Sequence, residues 1–425
     1  MEFELAACSW ASSTGREGSA GDVTRAMRLN PRASAKGIIA AAVAATALWA
    51  GPASAQVALK PDTPFILFWT PEQQSAGYRA LETIYKSETI QSGSDVRELP
   101  KAAHEIAPTW THDGRTWTVD EYMAAYRTSG VLVLKDGEIV LERYGMDRTP
   151  AERWTSFSVA KSVTSTLVGA AIKDGKIESL ESNVADYIPE LVGSAYDGVT
   201  VRQLLTMTSG VKWNEDYADP KSDVAQAGFA DIEPGINPLL AYMRKLPRAA
   251  EPGTTFNYST GETDMAGILV SNAVGMPLSQ YLSEKIWRPY GMESDAYWQT
   301  DLAGRERAGC CISATLRDFA RIGAFVMDGG KVGDERVVPD GWVEQATQKQ
   351  VDNGYNGYGY FWWMRPDGGY DALGVYGQSI TTFRSDRVVI VVNSAWPTAV
   401  GADLEAAAYA FQQALHEAAN HTEGH

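Results

Sequence analysis

Runs of apolar residues with high β propensity, joined by short polar turns, predict two β-hairpins, one early and one late in the chain. The first pairs Gly130–Leu134 with Ile139–Tyr144. The second pairs Gln378–Phe383 with Arg387–Asn393, and strand character is also predicted for Tyr358–Met364. Strands from both ends of the chain are therefore expected to meet in one antiparallel sheet.

Helical patterns fill the middle of the chain and its C-terminal end. A run rich in Val, Ala and Leu predicts a helix over residues 158–174. A shorter helical stretch is predicted near Ala76–Lys86, and an amphipathic closing helix over Asp403–Ala418. Between about residues 176 and 325, helices joined by loops that contain Gly and Pro predominate.

This order of elements predicts an α+β fold, in which helices flank an antiparallel sheet that carries an inserted all-helical lobe. The α/β lobe is expected from about residues 56–157 and 326–425, and the helical lobe from about residues 158–325. A cleft between two lobes is a usual place for a small-molecule site.

The first 55 residues have the pattern of a secretory leader. Basic residues precede a short apolar run, Gly37–Ala50, and Ala53-Ser54-Ala55 then supplies a small-residue cleavage pattern. The apolar run is too short to span a bilayer comfortably, although an uncleaved anchor is the alternative. We therefore expect an exported protein, periplasmic or secreted, whose mature chain begins near Gln56.

Composition and charge restrict the classes of molecule that the protein is expected to bind. The chain has 425 residues and a formal net charge of −16. This charge disfavours nucleic acid and anionic membranes, because both attract clustered Lys and Arg. No phosphate-binding loop or dinucleotide fingerprint occurs in the sequence. A small-molecule substrate is expected, with no nucleic-acid partner and no stable membrane partner, and a homodimer is left open.

Cysteine content predicts no disulfide framework. Cys8 lies in the leader, so only the adjacent pair Cys310 and Cys311 remains in the fold. Neighbouring cysteines rarely bridge, because closing so small a ring strains the peptide between them. We therefore expect both to be buried structural residues without a bridge.

The positions of the histidines narrow the catalytic chemistry. Residues 113–415, which hold nearly all of the predicted fold, contain no histidine. A Ser-His-Asp triad and a His-ligated zinc site are therefore not expected. An enzyme with this sequence would use Lys, Tyr or a carboxylate as its base.

The pattern Ser-x-x-Lys occurs twice, at Ser158/Lys161 and at Ser209/Lys212. Ser158 begins the apolar helix, where residues i and i+3 share a face and free N–H groups favour a developing oxyanion. Lys161 would be partly desolvated there, which lowers its pKa and lets it accept the serine proton. A helix-capping serine beside a surface lysine is the structural alternative. Ser209 lies in a turn with no helix after it, so Lys212 need not face it.

Five segments of the chain resemble, in the same order, motifs of class C β-lactamases and the penicillin-binding-protein-like serine hydrolases. They are Trp154–Ser162, Val199–Gly210, Phe256–Gly261, Ile312–Gly323 and Gly374–Gln378. The resemblance implies a β-lactamase/transpeptidase-like fold. It also implies acyl transfer through a covalent seryl intermediate, with no metal or organic cofactor.

The resemblance assigns three catalytic residues. Ser158 matches the acylated serine, Lys161 its partner, and Tyr258 the tyrosine that passes the proton to the leaving group. Lys161 and Tyr258 are expected to share one proton, because an ammonium group stabilises phenolate. Without the resemblance, Tyr258 would be taken for a half-buried core aromatic residue.

Two segments depart from the usual family pattern. Thr260 stands where Tyr-x-Asn enzymes carry asparagine, and Val375-Tyr376-Gly377 replaces Lys-Thr-Gly. The second change removes a cation that would hold a β-lactam carboxylate. The backbone N–H of Gln378, beside that of Ser158, is expected to form the oxyanion hole, and Gly377 and Thr260 are assigned to the same substrate-binding region.

The variant pattern resembles the 6-aminohexanoate-dimer hydrolases and related esterases, which cleave linear amides and esters. Asn214–Pro220 is similar to their substrate-covering loop, and Tyr217 matches the tyrosine that contacts the scissile amide nitrogen. Tyr217 is also a rival to Tyr258 as the base, and an ordinary turn is the structural alternative. The expected substrate is thus a small amide or ester. A β-lactamase or penicillin-binding peptidase, and a sensor of the same fold without turnover, are the alternatives.

Two further groups of residues have both a structural and a functional interpretation. An aromatic run favours core packing over a lining of the cleft. Its members are Tyr355, Tyr358, Tyr360, Phe361, Trp362 and Trp363. A set of acidic residues favours a solvated loop over a site for an amine. Its members are Asp216, Asp219, Asp223, Asp231 and Glu233.

Overall fold

A computed structural model of the protein describes residues 65–229 and 235–421, and the expected leader lies outside the described residues. Its strands are β1 (Ser87–Ile90), β2 (Thr109–His112), β3 (Arg115–Thr118), β4 (Thr128–Lys135), β5 (Glu138–Tyr144), β6 (Trp154–Thr155), β7 (Ala296–Gln299), β8 (Ile312–Ala314), β9 (Lys331–Val332), β10 (Glu335–Arg336), β11 (Trp363–Met364), β12 (Tyr370–Gly374), β13 (Gln378–Phe383) and β14 (Val388–Ser394).

The α-helices of the same residues are α1 (Pro71–Gly77), α2 (Val119–Ala125), α3 (Val159–Lys173), α4 (Val184–Tyr187), α5 (Val201–Leu205), α6 (Asp223–Gln226), α7 (Pro238–Met243), α8 (Thr260–Val274), α9 (Leu278–Leu282), α10 (Leu316–Met327), α11 (Trp342–Ala346) and α12 (Ala402–Asn420). Within this part of the chain, no helix has both the length and the apolar character needed to cross a membrane.

The main sheet joins the two ends of the chain, as the sequence predicts. Its six strands are antiparallel and follow the order β11-β12-β13-β14-β4-β5. Both predicted hairpins lie in it, β4 with β5 and β13 with β14. Strand β14 also pairs with β4, which brings the late hairpin against the early one.

Alternate residues of the central strands pack into different cores on the two faces of the sheet, because side chains alternate along a strand. On β4, Leu132 and Leu134 belong to a large core that also contains side chains of α3, α8 and α10. Val131 and Val133 belong to a second core with Phe411 of α12. In the large core α3 packs beside α8 and also contacts β12. This packing fixes the start of α3 between the sheet and the helical region.

The expected all-helical lobe also contains strands. Strands β7 and β8 fall within residues 158–325 and join β1 and β6 in a four-stranded sheet of order β1-β7-β8-β6. The expectation of an all-helical lobe is therefore wrong for this segment. The strands were missed because each has only three or four residues and most of their residues are buried, so they show no alternation.

Two other predicted elements lie elsewhere or are shorter than expected. The helix expected near Ala76–Lys86 is α1, which begins earlier because Thr70 and Gln73 form a capping box. The strand expected over Tyr358–Met364 is reduced to β11. Phe361 has a positive φ of 60°, which interrupts an extended conformation.

The expectation that the adjacent cysteines would not bridge is also wrong. Cys310 and Cys311 form a disulfide between neighbouring residues. Cys311 has a positive φ of 69° and is buried. The local backbone thus adopts an unusual conformation that brings the two side chains together, which sequence spacing alone cannot reveal.

Candidate active site

Ser158 lies at the N-terminus of α3 and is partly exposed, which suits a nucleophile. The chain reaches it from β6 through Ser156, whose backbone nitrogen donates to the carbonyl of Ile312 at 2.8 Å. The Ser156 hydroxyl in turn accepts from the Ile312 nitrogen at 2.9 Å. Phe157 then has a positive φ of 43°, which turns the chain sharply into the helix. Two buried anchors and this turn therefore fix the serine.

Lys161 lies one helical turn after Ser158 and its side chain is buried. Its Nζ atom is 3.0 Å from Ser158 Oγ, 2.9 Å from Thr260 Oγ1 and 2.9 Å from the carbonyl oxygen of Gly309. The expected nucleophile and its lysine are thus in hydrogen-bond contact. Thr260, at the start of α8, joins them.

These three contacts specify where the lysine can hold its hydrogens. The carbonyl of Gly309 can only accept. The hydroxyl of Thr260 gives its own hydrogen to Glu215, so towards Lys161 it also accepts. In a neutral amine, two hydrogens can satisfy these two acceptors, which leaves the lone pair for Ser158, whereas the ammonium form also donates to Ser158 Oγ. The geometry therefore fits a neutral lysine that takes the serine proton.

The electrostatics of the pocket lower the pH at which Lys161 loses its extra proton. Burial lowers the pKa of Lys161 to about 8, because desolvation disfavours the charged ammonium. The charges of Glu215 and Asp264 oppose this effect, and the charge of Arg307 adds to it. A substantial fraction of the lysine is thus neutral just above neutral pH, as a general base requires.

Tyr258 lies beside the same amine, with Lys161 Nζ 5.1 Å from the centre of its ring. Burial raises the pKa of Tyr258 above its usual value, the charge of Glu215 raises it further, and an interaction with Ser158 acts in the opposite direction. The expected phenolate is therefore not favoured, and Tyr258 keeps its proton at neutral pH. Its position suits a proton donor to a leaving group better than the first base.

Glu215 is the residue of the site that sequence reasoning missed. It is buried and accepts hydrogen bonds from four groups: the Thr260 nitrogen at 2.9 Å, the Thr260 hydroxyl, the indole of Trp213, and the Tyr217 hydroxyl at 2.9 Å. The only hint in the sequence was an acidic residue between two large aromatic ones. Glutamate is usually exposed, because burying a carboxylate is costly. Here the four hydrogen-bond donors compensate for that cost.

Tyr217 lies next to Glu215 in the site, and the covering role of its loop stays a prediction. Its ring is partly buried and its hydroxyl donates to Glu215. Burial raises the pKa of Tyr217 well above its usual value, so it does not compete as a base. The loop also contains side-chain-to-backbone turns, in which Asn214 accepts from the Asp216 nitrogen and Asp216 from the Ala218 nitrogen.

The second Ser-x-x-Lys pattern has no catalytic arrangement. Ser209 is buried and donates to Glu262, whereas Lys212 is exposed. Ser209 precedes a left-handed glycine, Gly210, so no helix turn brings the lysine over the serine. The prediction that only the first pattern is functional fits this geometry.

The segment that replaces Lys-Thr-Gly lies in a turn and not on a strand. Val375-Tyr376-Gly377 connects β12 to β13, and Gly377 packs against Trp396. The side chain of Gln378 is buried and donates to the carbonyls of Val375, Tyr376 and Ser394. These contacts make the side chain of Gln378 a support of the turn.

The segment approaches the nucleophile at Gly374, the last residue of β12. A Cβ atom on Gly374 would lie 2.5 Å from the carbonyl oxygen of Ser156 and 3.1 Å from Cβ of Phe157. Among the described residues, the next nitrogen along the chain, that of Val375, has no hydrogen-bond partner, and neither has that of Ser158. The backbone nitrogen of Val375 is therefore a further candidate for the oxyanion hole, because the hairpin brings the end of β12 to α3, and the assignment of Gln378 stays a prediction.

The aromatic run is mostly core, as expected. Tyr358, Tyr360, Phe361 and Trp362 are buried, whereas Tyr355 is exposed. Next to Tyr258, however, two of its members form a wall. Tyr358 and Trp363 lie with ring centres 6.3 Å and 5.4 Å from that of Tyr258.

Of the acidic set, Asp231 and Glu233 lie outside the described residues. Asp223 accepts from the Asn214 nitrogen and from the Tyr242 hydroxyl, and it therefore has a structural role. Within residues 65–229 and 235–421, no group of three or more His, Cys, Asp or Glu side chains is arranged to bind a metal ion.

The fold and the constellation of serine, lysine and tyrosine define a serine hydrolase with the β-lactamase fold. Residues 117–415 match the β-lactamase family, and the chain belongs to that family. A 6-aminohexanoate-dimer hydrolase from Paenarthrobacter ureafaciens is 33% identical over 288 residues, which are 64% of this chain and 73% of that protein.

Solved structures agree on the fold. One from Bacillus anthracis, described as a candidate 6-aminohexanoate-dimer hydrolase, has a TM-score of 0.73 at 23% identity and covers 85% of this chain and 99% of its own. A family VIII carboxylesterase has a TM-score of 0.53 at 18% identity and covers 69% of this chain and 96% of its own.

Proposed function

We propose that this protein hydrolyses linear amide or ester bonds of small substrates through an acyl-enzyme on Ser158. The observation that carries the proposal is the set of partners around Lys161 Nζ. Two acceptors, Gly309 O and Thr260 Oγ1, use the hydrogens of the amine, and its lone pair is left for the serine 3.0 Å away.

Acylation begins when Ser158 Oγ attacks the carbonyl carbon and its proton moves to Lys161. The backbone nitrogens of Ser158 and Val375 stabilise the oxyanion. The C–N or C–O bond then breaks as Tyr258 gives its phenolic proton to the leaving group, and Lys161 returns the proton to Tyr258. Water attacks the acyl-enzyme along the same proton route in reverse, which releases the acid and restores Ser158.

The preference for linear substrates over β-lactams rests on the edge of the sheet that faces the nucleophile. Residues 372–377 contain no Lys or Arg. Leu373, near the end of β12, is exposed and offers an apolar surface. A substrate carboxylate would find no cation on this strand, so an uncharged amide or ester fits it better.

The decisive test is hydrolysis of p-nitrophenyl butyrate and of short linear amides by the full chain and by Ser158→Ala, with intact-mass detection of an acyl adduct. Turnover should disappear with Ser158, and the adduct should map to its peptide. Lys161→Met should lose activity by a factor of about 10³ or more, whereas the matched control Lys212→Met should retain it, because Lys212 is exposed.

Two other outcomes would overturn the proposal. Turnover of nitrocefin that is faster than that of any linear amide or ester would assign a β-lactamase. Absence of turnover and of any adduct, with nitrocefin and penicillin inert as well, would assign a sensor that keeps the fold without catalysis.

Export is a separate part of the proposal and rests on the leader pattern of residues 1–55. We expect the protein expressed from its full reading frame in a bacterial host to be found outside the cytoplasm. N-terminal sequencing should then give a start near Gln56. An intact leader on a cytoplasmic product would contradict export and leave the proposed chemistry untouched.

A further inference from the structure

A cavity of about 180 Å³ lies behind the catalytic lysine. Lys161 Nζ donates to the carbonyl of Gly309, and the nitrogen of Gly309 donates to Asp264 Oδ1 at 2.7 Å. Asp264 lines the cavity, whereas Ser158 and Tyr258 do not. Asp264 and one intervening residue, Gly309, therefore connect the cavity to the base.

Three polar side chains that line this cavity have hydrogen-bonding capacity that the described residues do not use. The guanidinium group of Arg307 makes no hydrogen bond or ion pair with the described residues. Its Cζ atom lies 5.8 Å from the centre of the Phe65 ring. Gln299 is 4% exposed, and its Oε1 atom has no hydrogen-bond partner in the part of the chain that the structure describes. Asp264 uses only one carboxylate oxygen, Oδ1, among these residues.

Asp264 and Gln299 are buried, whereas Arg307 is partly exposed. Unsatisfied polar atoms are expensive to bury, so their presence around one cavity points to a ligand. Arg307 and Asp264 carry opposite charges, yet they form no ion pair with each other. A ligand with a carboxylate for Arg307 and an ammonium group for Asp264 would satisfy both. Gln299 can add a hydrogen bond to either end.

The volume of the cavity and its apolar lining indicate the size of the ligand and the chemistry of its central part. Leu239 and Ile268 contribute apolar surface to the wall of the cavity. The volume corresponds to about six water molecules, because each occupies roughly 30 Å³ of liquid. A ligand with a short methylene chain between its charged ends fits this space.

We propose that this cavity is a second binding site, for a small zwitterionic amino acid, with Arg307 holding the carboxylate, Asp264 the ammonium group, and Gln299 completing the polar contacts. The site is distinct from the cleft in which Ser158 reacts, and it does not depend on the proposed hydrolysis.

The test is calorimetric titration of the full chain with three probes of equal chain length: 5-aminopentanoate, pentanoate and pentylamine. Ser158 is first blocked with an alkyl phosphonate, so that the catalytic cleft cannot bind the probe. If Ser158 does not react, Ser158→Ala is used, and that failure counts against the hydrolase proposal only. We expect 5-aminopentanoate to bind at least ten times more tightly than either singly charged probe.

Variants locate the binding. Arg307→Met and Asp264→Asn should each weaken 5-aminopentanoate about tenfold, and the asparagine keeps the acceptor for the Gly309 nitrogen. Arg387→Met is the matched control, because Arg387 pairs with Asp136 and Asp328 outside the cavity. Circular dichroism shows whether each variant is folded. Equal affinity of all three probes, affinity unchanged in Arg307→Met, or no binding at millimolar concentrations would overturn the proposal.

Discussion

Glu215 accepts a hydrogen bond from the backbone nitrogen of Thr260 at 2.9 Å and another from the hydroxyl of the same residue. Because the Thr260 hydroxyl gives its hydrogen to Glu215, it can only accept from Lys161. A carboxylate on the Asn214–Pro220 loop thus orients the catalytic amine through one intervening threonine. Thr260 and Glu215 together occupy the place for which many family members use a single asparagine.

Glu215→Gln should change both the rate and its pH dependence. The carboxylate raises the pKa of Lys161, so its loss should move the rising limb of kcat/KM against pH to lower pH. The weaker hydrogen bonds to Thr260 should also lower the maximal kcat/KM about tenfold. The control is Asp216→Asn, which removes a charge from the exposed next residue. If kcat/KM rises at the same pH in the variant and the wild type, Glu215 acts only by supporting the structure of the site.

The wild-type pH profile should report Lys161 directly. Its pKa is about 8, and the neutral form is the base, so kcat/KM should rise with pH through this value and level off above it. The measurement is kcat/KM for p-nitrophenyl butyrate between pH 6 and pH 10, corrected for spontaneous hydrolysis. A rate that falls as pH rises through about 8 would mean that the ammonium form is required, contrary to the lone-pair geometry.

Tyr258→Phe should lose activity by a factor of about 10² to 10⁴, because the leaving group loses its proton donor. The loss should be larger for amides than for p-nitrophenyl esters, whose leaving group needs no proton.

Tyr358→Phe is the matched control for Tyr258→Phe. The Tyr358 hydroxyl is buried and has no hydrogen-bond partner among the described residues. Its removal should leave kcat within a few-fold and keep or raise Tm. Equal losses in the two variants would argue that Tyr258 only packs the cleft.

Gly374→Ala should impair catalysis without removing any functional group. The new Cβ would lie 2.5 Å from the carbonyl oxygen of Ser156, so β12 or the nucleophile segment must move. A shift of about 1 Å can cost roughly 10²-fold in rate. Gly401→Ala is the control, because its Cβ would make an ordinary contact of 3.4 Å with Leu404. Normal kcat in Gly374→Ala would contradict the assignment of Val375 to the oxyanion hole.

Glu262→Gln should alter the dependence of stability on pH. Burial raises the pKa of Glu262 to about 8, so the folded protein retains a proton that the unfolded chain releases near pH 4.5. Its contribution to stability is complete below about pH 4.5 and is lost as pH rises through about 8. Glutamine keeps the acceptor for Ser209 and cannot ionise. Tm of the wild type should therefore fall more between pH 5 and pH 9 than Tm of the variant, and equal falls would contradict this.

The local sequence pattern was sufficient to locate the longer strands and helices. Strands β4, β5, β13 and β14 lie where β-rich runs joined by turns predict them, and helices α3 and α12 lie where long apolar or amphipathic runs predict them. Short buried segments carry no such pattern. This is why β7 and β8 were missed. The first helix was placed too late because its start is set by the capping box of Thr70 and Gln73.

The sequence by itself was sufficient to predict that Ser158 and Lys161 meet. Ser158 and Lys161 are three residues apart on one helix, so their contact follows from helix geometry. It also determined the family, because several short motifs in a fixed order are far more specific than any one of them.

Only the tertiary structure decided the rest of the site. Glu215 and Thr260 are separated by 45 residues, and Lys161 and Gly309 by 148. No local pattern encodes such contacts, because they exist only once α3 packs beside α8. The protonation of Lys161 and Tyr258 was decided in the same way, since pKa shifts depend on burial and on charges supplied by distant segments.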